Sequence, residues 1–95
     1  MRNYELKEET NCIGEVIRVS AVDDKGREIC GSFKPVGHDY WQLYTTKLVT
    51  GLTGLKSPPH RENYWGDHGR IDSQAWVELL AALYMKAAQA AEKAA

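Results

Sequence analysis

DSQAWVELLAALYMKAAQAAEKAA, residues 72–95, is the stretch that decides the architecture. At about 100° per residue, Trp76, Leu80, Leu83, Ala87, Ala91 and Ala94 fall on one face. Glu78, Lys86, Gln89, Glu92 and Lys93 fall opposite. That pattern predicts one amphipathic helix, with Asp72 as its cap and Ile71 stapled onto Trp76. The helix needs an apolar layer beneath it, and the residues upstream supply one.

Ile13 to Val22 reads as a strand, with Ile17, Val19 and Ala21 on one face. Asp23-Asp24-Lys25-Gly26 follows as a turn, Gly26 suiting the left-handed position of a three-residue hairpin loop. That loop predicts a register placing Ile17 opposite Phe33, Val19 opposite Gly31 and Ala21 opposite Ile29. Pro35 ends the second strand, because it cannot donate to a ladder. A third strand from Asp39 to about Leu48 adds Trp41 and Leu43 to the inner face. The expected fold is α+β: a three-stranded antiparallel meander packed against one long C-terminal helix. Its organisation is a polar leader (1–11), sheet (12–48), long loop (49–71) and helix (72–95), in one domain. A chain of 95 residues has material for one modest core.

Composition narrows the function classes. A hydrophobic share of 43% and a charged share of 26% are ordinary for a globular protein, and the net charge is −1. A nucleic-acid binder usually carries a basic stripe, which lowers that class. No apolar run approaches the about 18 residues of a membrane span, and the first eleven residues are too polar for a secretory signal. These features predict a cytoplasmic protein without membrane contact. Cys12 and Cys30 sit roughly 26 Å apart in the expected register, too far for a disulfide, and form no CxxC pair.

No chemistry-bearing motif emerges. His38-Asp39, His60 and Asp67-His68 lack the local spacing of a zinc site, so no metal or other cofactor is expected. No nucleophile elbow or phosphate-binding loop is present, and the paired carboxylates Glu8-Glu9 and Asp23-Asp24 suit a solvated leader and a turn. The chain therefore reads as non-catalytic.

Three surfaces suggest binding instead. The loop segment 60–70 mixes aromatic and charged residues between glycines. Arg61, Tyr64, Trp65, His68 and Arg70 are the expected protein-binding residues, Tyr64 and Trp65 being the anchors. The outer sheet face would carry Arg18, Ser20, Cys30, Ser32, Lys34, Tyr40, Gln42 and Tyr44. Arg18, Lys34, Tyr40, Gln42 and Tyr44 there form the alternative, a nucleic-acid surface. Ala87, Ala88, Ala91 and Ala94 make a smooth helix side for a homodimer, because the helix tail should outrun the sheet. The expected function is recognition of another protein, and size and charge balance suit a phage or mobile-element accessory factor acting on a host protein.

Overall fold

A computed structural model describes residues 4–54 and 64–94. The class is α+β, but the sheet has five strands rather than three. They are β1 (Glu5–Thr10), β2 (Val16–Val22), β3 (Glu28–Phe33), β4 (Tyr40–Thr45) and β5 (Tyr64–Trp65), neighbours in that order and all antiparallel. A short helix, α1 (Lys47–Thr53), follows β4, and a long one, α2 (Gly66–Ala94), covers one face of the sheet, chiefly over β3 and β4.

The leader is the edge strand. Tyr4 and Leu6 turn inward and pack on the core, Leu6 opposite Ala21, while Glu5, Lys7 and Glu9 point away. Charge on an exposed edge discourages pairing with another chain. One apolar residue in ELKEET is too few to announce a strand from periodicity.

The β2–β3 hairpin starts in the expected register and leaves it. Gly26 adopts a positive φ of 80°, and Val22 pairs with Glu28. One step later a bulge intervenes, so Ala21 faces Cys30 and Arg18 faces Phe33. The extra residue is Ile29, and both Ile29 and Cys30 are fully buried in the core. A bulge lets two consecutive residues oppose one. Its consequence is a reversal along β3: Cys30 and Ser32 turn under the helix, and Phe33 turns to the outer face. The Cys30 thiol donates to the Val77 carbonyl of α2 at 3.4 Å. Both cysteines are free thiols. Thr46, which caps α1, places its hydroxyl against the Glu28 and Ile29 carbonyls at 3.0 and 2.8 Å, tying α1 to the bulge.

Asp23 closes the hairpin from inside. Only 4% exposed, its carboxylate accepts N–H groups from Lys25 (2.9 Å) and Arg27 (2.8 Å) and the Arg27 guanidinium Nε–H at 2.8 Å. Burial alone would raise its pKa, but the bonds from Arg27 and Lys25 outweigh it and hold the carboxyl below 3.8. Its contribution is therefore complete above the ordinary carboxylate range and lost as pH falls through the depressed value. Asp23→Ala should cost about 2–3 kcal/mol, since charged hydrogen bonds go and the turn N–H groups lose their acceptor. Urea melts at neutral pH would show it, with the gap to the parent protein closing in acid.

The long helix begins at Gly66, six residues before the expected cap, and Ile71 lies exposed instead of stapling onto Trp76. Its buried row is Ser73, Val77, Leu80, Ala81, Tyr84 and Met85, with Ala88 packed on the same core. Leu83, expected inward, is exposed. Ser73 is tolerated there because its hydroxyl donates to the Arg70 carbonyl at 3.0 Å. At 29 residues the helix is about 43 Å long. It sets the longest dimension of the molecule, 46 Å, and its core packing extends to Ala88, beyond which Gln89 and Glu92 flank the β2–β3 turn.

Candidate protein-binding surface at the turn end of the sheet

Strand direction brings three turns to one end of the sheet: β1–β2, β3–β4 and the junction of β5 with α2. Each is pinned by its own backbone bonds. In the first, the Asn11 N–H donates to the Glu15 carbonyl at 2.9 Å, the Asn11 side-chain Oδ1 accepts the N–H groups of Ile13 and Glu15, both at 3.0 Å, and Gly14 takes φ 87°. In the second, His38 N–H donates to the Pro35 carbonyl at 3.1 Å across Gly37, φ 81°. At the third, Gly66 N–H donates to the Asp39 carbonyl at 3.0 Å, with φ 60°. Immediately before each positive-φ glycine stands a large apolar residue: Ile13, Val36 and Trp65. They are 73%, 98% and 57% exposed. Five strands spaced about 4.8 Å apart put the three within a width of roughly 19 Å.

Trp65 does not stand alone. It pairs across the ladder with Tyr40, their rings 5.4 Å apart, and Tyr40 contacts His38 at 5.1 Å. The indole is thus held on the outer face by ring packing while more than half of it stays open. At the same end of the sheet, a groove of about 200 Å³ is lined by Glu15, Lys34, Asp39, Trp41, Asp67 and Arg70, among others.

The expected anchors separate. In a two-residue strand, successive side chains point to opposite faces. Tyr64, opposite the buried Trp41, is half-buried on the helix side, whereas Trp65 points outward. Arg70 bonds Glu8 of β1 at 3.0 Å, and His68 is exposed in the first turn of α2. Arg61 lies outside the described residues. Ile13 and Val36 carry no charge or aromatic ring, so composition did not mark them. The signal that finds them is an apolar residue directly before a turn glycine.

The outer face keeps Arg18, Tyr40, Gln42 and Tyr44 but exchanges Cys30 and Ser32 for Gly31 and Phe33. Tyr44 lies over Gly31, where a Cβ would stand 2.3 Å from its hydroxyl. Arg18 donates to Glu28 at 2.9 Å and to the Tyr44 hydroxyl at 2.8 Å, and the Tyr44 hydroxyl donates in turn to Glu28. Lys34 pairs with Asp39 at 3.4 Å. Both basic groups of the alternative nucleic-acid surface thus have acidic partners within the fold.

Among the described residues, no three His, Cys, Asp or Glu side chains converge as metal ligands; His60 lies outside them. None of the described helices is long and apolar enough to cross a membrane. Ala87 is half-buried, Ala88 packs on the core and Ala91 is exposed; the Ala94 side chain lies outside the described residues. No protein-family model, curated protein or solved structure matches this chain.

Proposed function

We propose that this chain is a non-catalytic binding module that recognises another protein through the turn end of its sheet, with Trp65 as anchor and Ile13 and Val36 as flanking contacts. One observation carries the reading: three separately pinned turns each present a large apolar side chain at the same end of the molecule. Scattered exposed hydrophobics are normal, whereas a cluster marks an interaction site. Turns fixed in advance reduce the ordering cost of binding. The mixed charges of the adjacent groove suit a polar rim around an apolar centre. A nucleic-acid partner fits less well, because the Arg18 and Lys34 charges are already answered by Glu28 and Asp39.

The test is capture from the native host by the parent chain and by Trp65→Ala and Val36→Ser. Losing the indole removes one exposed ring pair, so folding should change by no more than about 1 kcal/mol. Loss of an interface anchor should weaken binding by about 2 kcal/mol or more. The expected result is a partner that both variants lose while the melting temperature falls by no more than about 8 °C. An undiminished partner in both variants would remove the site. Retention on heparin with steep salt dependence would replace it with the nucleic-acid reading.

A further inference from the structure

Among the described residues, the large exposed hydrophobics fall mainly into two groups, and the turn end accounts for only one. The other is the solvent side of α2: Ile71, Leu79 and Leu83, with Ala75 and Ala82 between them. Leu79 is 62% exposed at the middle of the helix. This side faces away from the sheet, since the buried row from Ser73 to Ala88 lies on the opposite side of the same cylinder. From Ala75 to Met85 the helix therefore carries a single charge, Glu78, and is otherwise apolar round its circumference, the pattern of a helix with neighbours on both sides.

We infer that the second neighbour is α2 of another copy of this chain, packed antiparallel about a twofold axis through Leu79. Twofold contacts must be self-complementary, and the sequence around Leu79 meets that condition in size and in charge. With the helices antiparallel, Leu79 meets its own mate. Ala75, four residues before the axis, lies level with Leu83, four residues after it, so a small side chain faces a large one on both sides. Asp72, seven residues before, lies level with Lys86, seven after. Both are exposed, and seven residues complete nearly two turns, which returns both to the seam beside Leu79. Two Asp72–Lys86 pairs would flank the apolar centre. A parallel pair would instead set Asp72 against Asp72 and Lys86 against Lys86, a repulsion that decides the direction.

The seam is centred eight residues before the alanine tail, whose Ala88 is occupied by its own core. The resulting particle has four layers: sheet, helix, helix, sheet. The antiparallel helices send the two Trp65 ends to opposite ends of it, and Trp65 sits on the outer face of the sheet, away from the seam, so the dimer is bivalent. Dimerisation itself stands whether or not the turn end binds protein.

Sedimentation equilibrium of the full chain, from low micromolar to near-millimolar concentration, tests the inference without any other protein. The parent chain should show a reversible monomer–dimer equilibrium. Leu79→Lys should weaken it at least tenfold without loss of helicity or of the melting temperature measured where the parent is monomeric, because the side chain is exposed in the monomer. Asp72→Lys should weaken it several-fold, and adding Lys86→Asp should restore it. A monomer at every concentration would overturn the inference. So would a dimer indifferent to Leu79→Lys, or a charge swap that fails to restore association.

Discussion

Gly69→Ala is expected to destabilise the protein by about 2–3 kcal/mol, against the sign that helix propensity alone dictates. Within a helix, Ala is favoured over Gly by about 1 kcal/mol. At Gly69, however, a Cβ would stand 2.0 Å from the Tyr64 carbonyl carbon and 2.2 Å from its oxygen. Those are backbone atoms, so no rotamer change relieves the clash. Either β5 leaves β4 or the first turn of α2 lifts, and overpacking of this kind costs about 1–3 kcal/mol or more. For a domain of this size the melting temperature should fall by about 10–20 °C. Amide exchange should rise first at Tyr64, Trp65 and Gly66, whose N–H bonds the Asp39 carbonyl. Gly51→Ala is the control: it too is helical, but nothing lies within 4 Å of its added Cβ. That substitution should leave stability unchanged or raise it. A stabilised Gly69→Ala protein would mean that β5 is not packed on α2. The site built on Trp65 would then lose its support.

The same contact explains why the helix starts at Gly66, ahead of Asp72. Gly66, Asp67, His68 and Gly69 are poor helix formers, so propensity places the boundary at Asp72. Tertiary packing decides otherwise: the missing side chain at Gly69 lets the helix run directly against β5. The sheet–helix class was legible because period-two and helical patterns each persist over long stretches. The hairpin turn was legible because Gly26 must take positive φ. The bulge at Ile29 was not, since an unbulged hairpin also buries Ile29 and nothing local favours burying Cys30 beside it. That single residue turned Phe33 outward and Cys30 and Ser32 inward. Edge strand β1 escaped for the opposite reason, its charges being those expected of a solvated tail.

Of the candidate surface, Trp65 was legible from its type and its glycine neighbours. Its separation from Tyr64 follows only from the ladder with β4, which no local pattern reveals. Ile13 and Val36 required the strand order, because only the sheet brings their turns beside Trp65. The apolar outer side of α2 is hidden in the sequence because Leu83 fits the spacing of either face. Assigning Leu83 to the core side left the opposite side looking charged, when Leu79 and Ile71 lie there too.

At alkaline pH the largest loss of stability should trace to Cys30. Burial, assisted by the Glu28 charge, pushes its thiol from an ordinary 9.0 up to about 12. In the unfolded chain the thiol ionises near its ordinary value, while in the folded protein it stays neutral until about 12. Thiolate formation therefore favours the unfolded state throughout that window. The contribution is complete below pH 9 and is lost as pH rises towards 12, at about 1.4 kcal/mol per unit. The loss is about 2 kcal/mol by pH 10.5 and about 4 kcal/mol in full. Tyr44 acts in the same direction, its phenol raised by burial and by its bond to Glu28 more than Arg18 lowers it. Urea melts under reducing conditions between pH 8 and about 11 would measure the slope. Cys30→Ala should be less stable than the parent at pH 8, having lost packing and the bond to the Val77 carbonyl. It should lose less with rising pH, so that the two curves converge and cross. Parallel curves would mean that the thiol does not stay neutral under α2, and the bulge that carries Cys30 beneath the helix would have to be withdrawn.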